Sequence, residues 1–167
     1  MRKAIVIAGM LLGAQIAAAV SAAGAQAPPS KPSAPTGFDP CTLMTKEEAA
    51  TAVGEAVQQK PIRPGGSMPG VAVSACDYEA PSRSHVQVTV WRPFGDSAAM
   101  FLQVYKSGCL KKEQQPGLGD LACWYDKDHR ELQVLKGSTL LTFEISRKGN
   151  ATEALTTAAK KAVARVP

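Results

Sequence analysis

Residues 121–146 read LACWYDKDHRELQVLKGSTLLTFEIS. Three segments of strand length lie in this stretch: Leu121 to Asp126, Arg130 to Leu135, and Thr139 to Ser146. In the last of them Leu141, Phe143 and Ile145 alternate with Thr142 and Glu144, the period of a strand with one buried face. Lys136-Gly137-Ser138 is short enough for a hairpin, with Gly137 supplying the positive φ that a tight turn needs. Strands that follow one another through such short turns run antiparallel.

Working upstream, His85 to Trp91 is a further strand, with Val86, Val88 and Val90 on one face and Gln87 and Thr89 on the other. Ser74 to Glu79 precedes it, and Gln58 to Ile62 is a short edge strand candidate beside a loop rich in Pro and Gly. Between the two groups of strands, Asp96 opens a helix to about Lys106, with Ala98, Phe101, Leu102 and Tyr105 at helical spacing and Gly108 closing it. Thr45 and Glu48 form a capping box for a first helix that stops at Gly54. Asn150 and Glu153 form a second box, for a helix to about Arg165 with the stripe Ala151, Leu155, Ala158, Ala162 and Val166. The expected fold is therefore α+β: a mostly antiparallel five- or six-stranded sheet packed with three helices, in the order α-β-β(-β)-α-β-β-β-α.

The N-terminus carries an address. Met1-Arg2-Lys3 is followed by an apolar run from Ala4 to Val20 and then by small residues, the layout of a secretory signal peptide. Ala23-Gly24-Ala25 suits the peptidase, so the expected cut follows Ala25. Residues 26–37, QAPPSKPSAPTG, cannot bury a core and read as a disordered leader, which leaves 38–167 as one α+β domain. The expected location is periplasmic or secreted, with no transmembrane segment after cleavage. Arg2 and Lys3 leave with the signal, so the net charge of +5 falls by two. The densest basic clusters, Lys111-Lys112 and Lys160-Lys161, are not interleaved with aromatics, which argues against nucleic acid as a partner.

Cys41, Cys76, Cys109 and Cys123 make an even set, and in an oxidising compartment two disulfides are the default. Three pairings are possible and the spacing alone does not choose among them. We favour Cys41–Cys76 and Cys109–Cys123. The second closes a loop of about 15 residues, which the chain-entropy model values at about 3 kcal/mol, and Pro116, Gly117 and Gly119 let that loop bend. The first ties the start of the first helix to a strand. There is no Cys-x-x-Cys spacing, and no His stands near a cysteine at ligand spacing.

Asp39-Pro40-Cys41, Ala75-Cys76-Asp77-Tyr78, Gly117-Leu118-Gly119-Asp120 and the stretch 132–137 occur in that order. Together they resemble the pattern of an uncharacterised family of small exported bacterial domains, many of them actinobacterial lipoproteins. The element order resembles the PsbP-like sandwich fold. The resemblance implies that the cysteine of Asp-Pro-Cys pairs with that of Cys-x-Tyr. This chain has no cysteine placed for lipidation, so membrane anchoring is not carried over.

Chemistry-bearing motifs are few. Asp126, Asp128 and His129 sit within four residues and are weak candidates for a divalent cation, although a polar turn has the same composition. Gly117-Leu118-Gly119-Asp120 precedes a strand instead of opening a helix, so its N–H groups are not set to cradle a phosphate. No serine lies in a Gly-x-Ser-x-Gly context and no cofactor motif is present, so no cofactor is expected and catalytic residues stay unassigned. Trp91, Arg92, Trp124 and Tyr125 are the binding candidates, because aromatics and Arg are what binding surfaces use. The expected function is a non-catalytic extracytoplasmic binding or interaction domain at the bacterial cell envelope, its partner an envelope protein or else a small ligand. A metal-dependent or hydrolytic periplasmic enzyme and a structural secreted factor are the alternatives.

Overall fold

A computed structural model describes residues 39–62 and 68–167. The signal peptide read at 1–25, the leader at 26–37 and the glycine pair Gly65-Gly66 lie outside the described residues. A 3-10 turn at Pro40–Thr42 leads into α1 (Lys46–Val53), β1 (Gln58–Ile62), β2 (Val71–Glu79), β3 (His85–Pro93), α2 (Ser97–Cys109), β4 (Leu121–Trp124), β5 (Glu131–Lys136), β6 (Thr139–Ser146) and α3 (Thr152–Val163). The six strands form one antiparallel sheet in the order β1-β2-β3-β6-β5-β4. Two three-stranded meanders therefore meet at β3 and β6, and α2 is the connection between them.

Strand alternation divides the side chains into two layers. On the first face Cys76, Tyr78, Val88, Leu132, Val134, Leu141 and Phe143 are buried beneath α1 and α3 in the main core. On the second face a smaller cluster of Tyr105, Cys109, Cys123, Leu135 and Leu140 packs under α2. Both disulfides favoured from the sequence are present: Cys41–Cys76 pins the N-terminal turn to β2, and Cys109–Cys123 pins the end of α2 to β4.

Local chemistry sets the ends of the elements. The capping box at α1 forms in both directions, and Gly54 ends the helix with φ 93°. The second box does not form: the Asn150 carboxamide oxygen accepts from the Thr152 N–H at 2.9 Å, so Ala151 becomes the N-cap and no side chain caps the helix. Asp96 stands at the N-cap of α2 without a side-chain capping bond. Nor does Gly108 close that helix. It continues to Cys109, whose burial against β4 holds the extra turn in place. β2 begins at Val71, three residues before the expected start, because Val71 to Val73 pair with Trp91 to Pro93. Gly119 is required where it stands: φ is 63°, and a Cβ there would lie 2.4 Å from the Leu135 carbonyl oxygen.

Two ion pairs on Glu48 of α1 reach Lys161 of α3 and Arg165 just after it. Arg165 forks onto both carboxylate oxygens of Glu48 at 2.6 and 2.7 Å, and also donates to the Leu43 carbonyl at 2.7 Å. The Arg165 hydrogen bonds hold the Glu48 carboxyl down at about 2 against the cost of burial, and the Thr45 N–H assists. A carboxyl depressed in the fold stabilises fully above its ordinary value near 4.5, and that stability is lost as pH falls toward 2. Glu48→Gln is expected to cost about 2 kcal/mol at neutral pH, less whatever solvent screening removes at the half-exposed arginine. Urea titrations between pH 7 and 2.5 check this: the difference between wild type and variant should shrink with acidification.

Candidate functional site

α2 touches β3 and β4 and covers one end of the second face, while no other helix among the described residues packs on that face. Cross-strand register arranges the side chains of this face in rows. One row is Val73, Trp91, Leu140, Leu135 and Leu121, at the apolar end near α2. The next is Ala75, Thr89, Thr142, Gln133 and Cys123. The third runs Lys60, Asp77, Gln87, Glu144 and Glu131. The face thus grades from apolar through neutral polar to acidic, and its centre forms an open trough of about 430 Å³.

Polar groups in the trough bond to one another. The Trp91 indole N–H donates to Thr142 Oγ1 at 3.2 Å, which lays the ring toward β6. The Gln87 amide donates to Thr89 Oγ1 and the Gln133 amide to Glu131 Oε1, each at 2.9 Å. Glu131 and Glu144 stand directly opposite each other on β5 and β6, a like-charge pairing that costs stability. Burial pushes the Glu131 carboxyl above its ordinary range, the Gln133 bond offsets part of that, and the Glu144 charge adds to the rise. At the far end of the row Lys60 is paired with Glu79. Beside it, burial raises the Asp77 carboxyl, and its Oδ1 is covered without a hydrogen-bond partner among the described residues.

The binding candidates read from the sequence fall in different places. Trp91 lines the trough. Its neighbour Arg92 lies on the opposite face of β3, by alternation. Trp124 is 3% exposed, its indole N–H donated to the Gln115 side chain at 3.2 Å, so its ring is in the core and not on the surface. Tyr125 is 52% exposed, with the Lys112 ammonium 4.0 Å above its ring. The structure does not bring these four together.

Of the weak metal candidates Asp126, Asp128 and His129, the first and the last are engaged by other protein groups. Asp126 Oδ1 accepts from the Arg130 N–H at 2.9 Å. His129, at φ 53°, stacks on Trp124 with centroids 4.7 Å apart and places Nε2 2.9 Å from Glu113. Among the described residues no three His, Cys, Asp or Glu side chains converge as metal ligands. Nor is any helix among the described residues long and apolar enough to cross a membrane. Sequence reasoning assigned no role to Gln133, Glu131, Thr142 or Glu144, although the alternation of polar with buried residues on β5 and β6 puts all four on one face.

Phe101 of α2 lines one end of the trough, while Met100 and Val104 of the same helix and Leu110 just after it are 65–68% exposed. The chain matches no protein-family model, no curated protein and no solved structure.

Proposed function

We infer that this protein is a non-catalytic binding domain that works outside the cytoplasm, at the bacterial cell envelope, and takes its ligand on the open half of the sheet's second face. The trough carries the reading. It is concave, within the size range of small-molecule sites, and combines an aromatic wall with a few polar side chains. Two disulfides and a secretory N-terminus support the location. The resemblance to exported bacterial domains agrees with it.

A protein partner is favoured by a second observation, the exposed Met100 and Val104 one turn apart on α2, since apolar side chains left exposed side by side mark interaction surfaces. The test is capture from envelope extract by the oxidised protein, with the reduced protein as control. Retention by the oxidised form alone is the expected result, because reduction breaks both bridges, freeing α2 from β4 and the N-terminal turn from β2. Equal capture by both forms, or by neither, would count against the reading.

A further inference from the structure

We propose that the outer face of α2 is a self-association surface, and that its occupant is the α2 of a second copy of this chain, packed antiparallel across a two-fold axis at Val104. The proposal rests on the reading of exposed Met100 and Val104 as an interaction surface and names the partner that covers them.

Spacing supplies the pattern. Asp96, Met100, Val104 and Gly108 recur every four residues, so they form one row along the helix, and Lys111 follows on the same side in the turn beyond it. All five are exposed. The row therefore reads acid, long apolar, branched apolar, bare glycine, base. Gly108 is the member that a single copy does not explain. Its φ is not positive, so it does not end the helix as a left-handed cap, and a Cβ built on it would meet nothing within 4 Å. Glycine is a poor helix former, and its use inside a helix suits a place where another chain comes close.

Symmetry decides how such a row pairs with itself. In a two-fold contact residue i meets j and j meets i. With the axis at Val104 and the helices antiparallel, Met100 of each copy lies over Gly108 of the other, so the longest side chain of the row meets the position that has none. Asp96 then faces Lys111 of the second copy. Neither is in an ion pair among the described residues, and Asp96 makes no capping bond. They stand about 22 Å apart along the helix, too far to pair within one copy. Parallel helices would instead set Met100 on Met100 and Lys111 against Lys111, and leave a gap at Gly108. Size and charge both select the antiparallel pair. The contact spans about three turns of helix, which makes the dimer a weak one.

The experiment is sedimentation equilibrium of the oxidised protein at low salt. The apparent mass is expected to rise from one copy toward two between about 10 µM and about 1 mM, the range of a small interface. Gly108→Gln should weaken association about tenfold while raising the thermal midpoint, because the new side chain blocks Met100 of the second copy and improves the helix. A variant that folds better and associates less separates the contact from folding. Val104→Glu should weaken association by a similar factor. Asp96→Lys and Lys111→Asp should each weaken it, and the two together should restore it. A mass of one copy throughout that range would overturn the proposal, and so would association that Gly108→Gln and Val104→Glu leave unchanged. Envelope capture is read separately, so a protein that stays monomeric yet captures an envelope partner ends this proposal and leaves the broader reading standing.

Discussion

Replacing Cys41 and Cys76 together by serine is expected to lower the unfolding free energy by about 4 kcal/mol, the largest effect of any change considered for this fold. The bridge spans 35 positions, so removing it frees a long loop in the unfolded chain. Native structure adds to the consequence. Tyr78, fully buried on β2, donates its hydroxyl to the Met44 carbonyl and also lies within bonding reach of the Cys41 carbonyl at 3.3 Å. Burial raises that phenol to about 12, so it stays protonated and able to donate throughout the neutral range. The disulfide and this hydroxyl hold the same N-terminal segment against the same strand. Guanidinium unfolding of the double variant checks the prediction. A lowered midpoint with an increased slope is expected, since an uncrosslinked chain exposes more surface.

Phe143→Ala should cost nearly as much, about 4 kcal/mol. Phe143 is fully buried on β6, between Val88 of β3 and Leu132 of β5, at the seam where the two meanders join. The strands on either side cannot close on a cavity there without breaking register, so relaxation recovers little of the loss. Thermal unfolding of the variant should show a drop in midpoint while both disulfides remain intact. A loss near 1 kcal/mol would mean that the seam repacks easily.

Much of this architecture is legible in the residues. β6 runs from Thr139 to Ser146 as its alternation indicates, and the stripe of α3 is buried from Ala151 to Val166. What was not legible depends on contacts made elsewhere. α2 outruns Gly108 because Cys109 is tethered to β4, a distant partner. Asn150 lost its place as a cap because its side chain turned to the nearer N–H of Thr152.

The site was half visible for a related reason. Parity along β3 puts Gln87, Thr89 and Trp91 on one face, and parity along β6 does the same for Thr142 and Glu144. That these form one surface follows only from β3 and β6 being neighbours, although 45 residues separate the end of one from the start of the other. Trp124 shows the converse. As an aromatic beside a cysteine it looked suited to binding, yet alternation on β4 turns it with Ala122 into the core and leaves Cys123 on the second face.

The most direct test of the open face as the binding face uses Gln133→Arg. Gln133 is half-buried in the middle of the trough, and an arginine there would reach both Glu131 and Glu144 and fill the space between them. Capture from envelope extract should be lost with this variant while its unfolding midpoint stays at or above that of the wild type. Undiminished capture by a folded Gln133→Arg protein would contradict the account and move the binding surface to another part of the molecule.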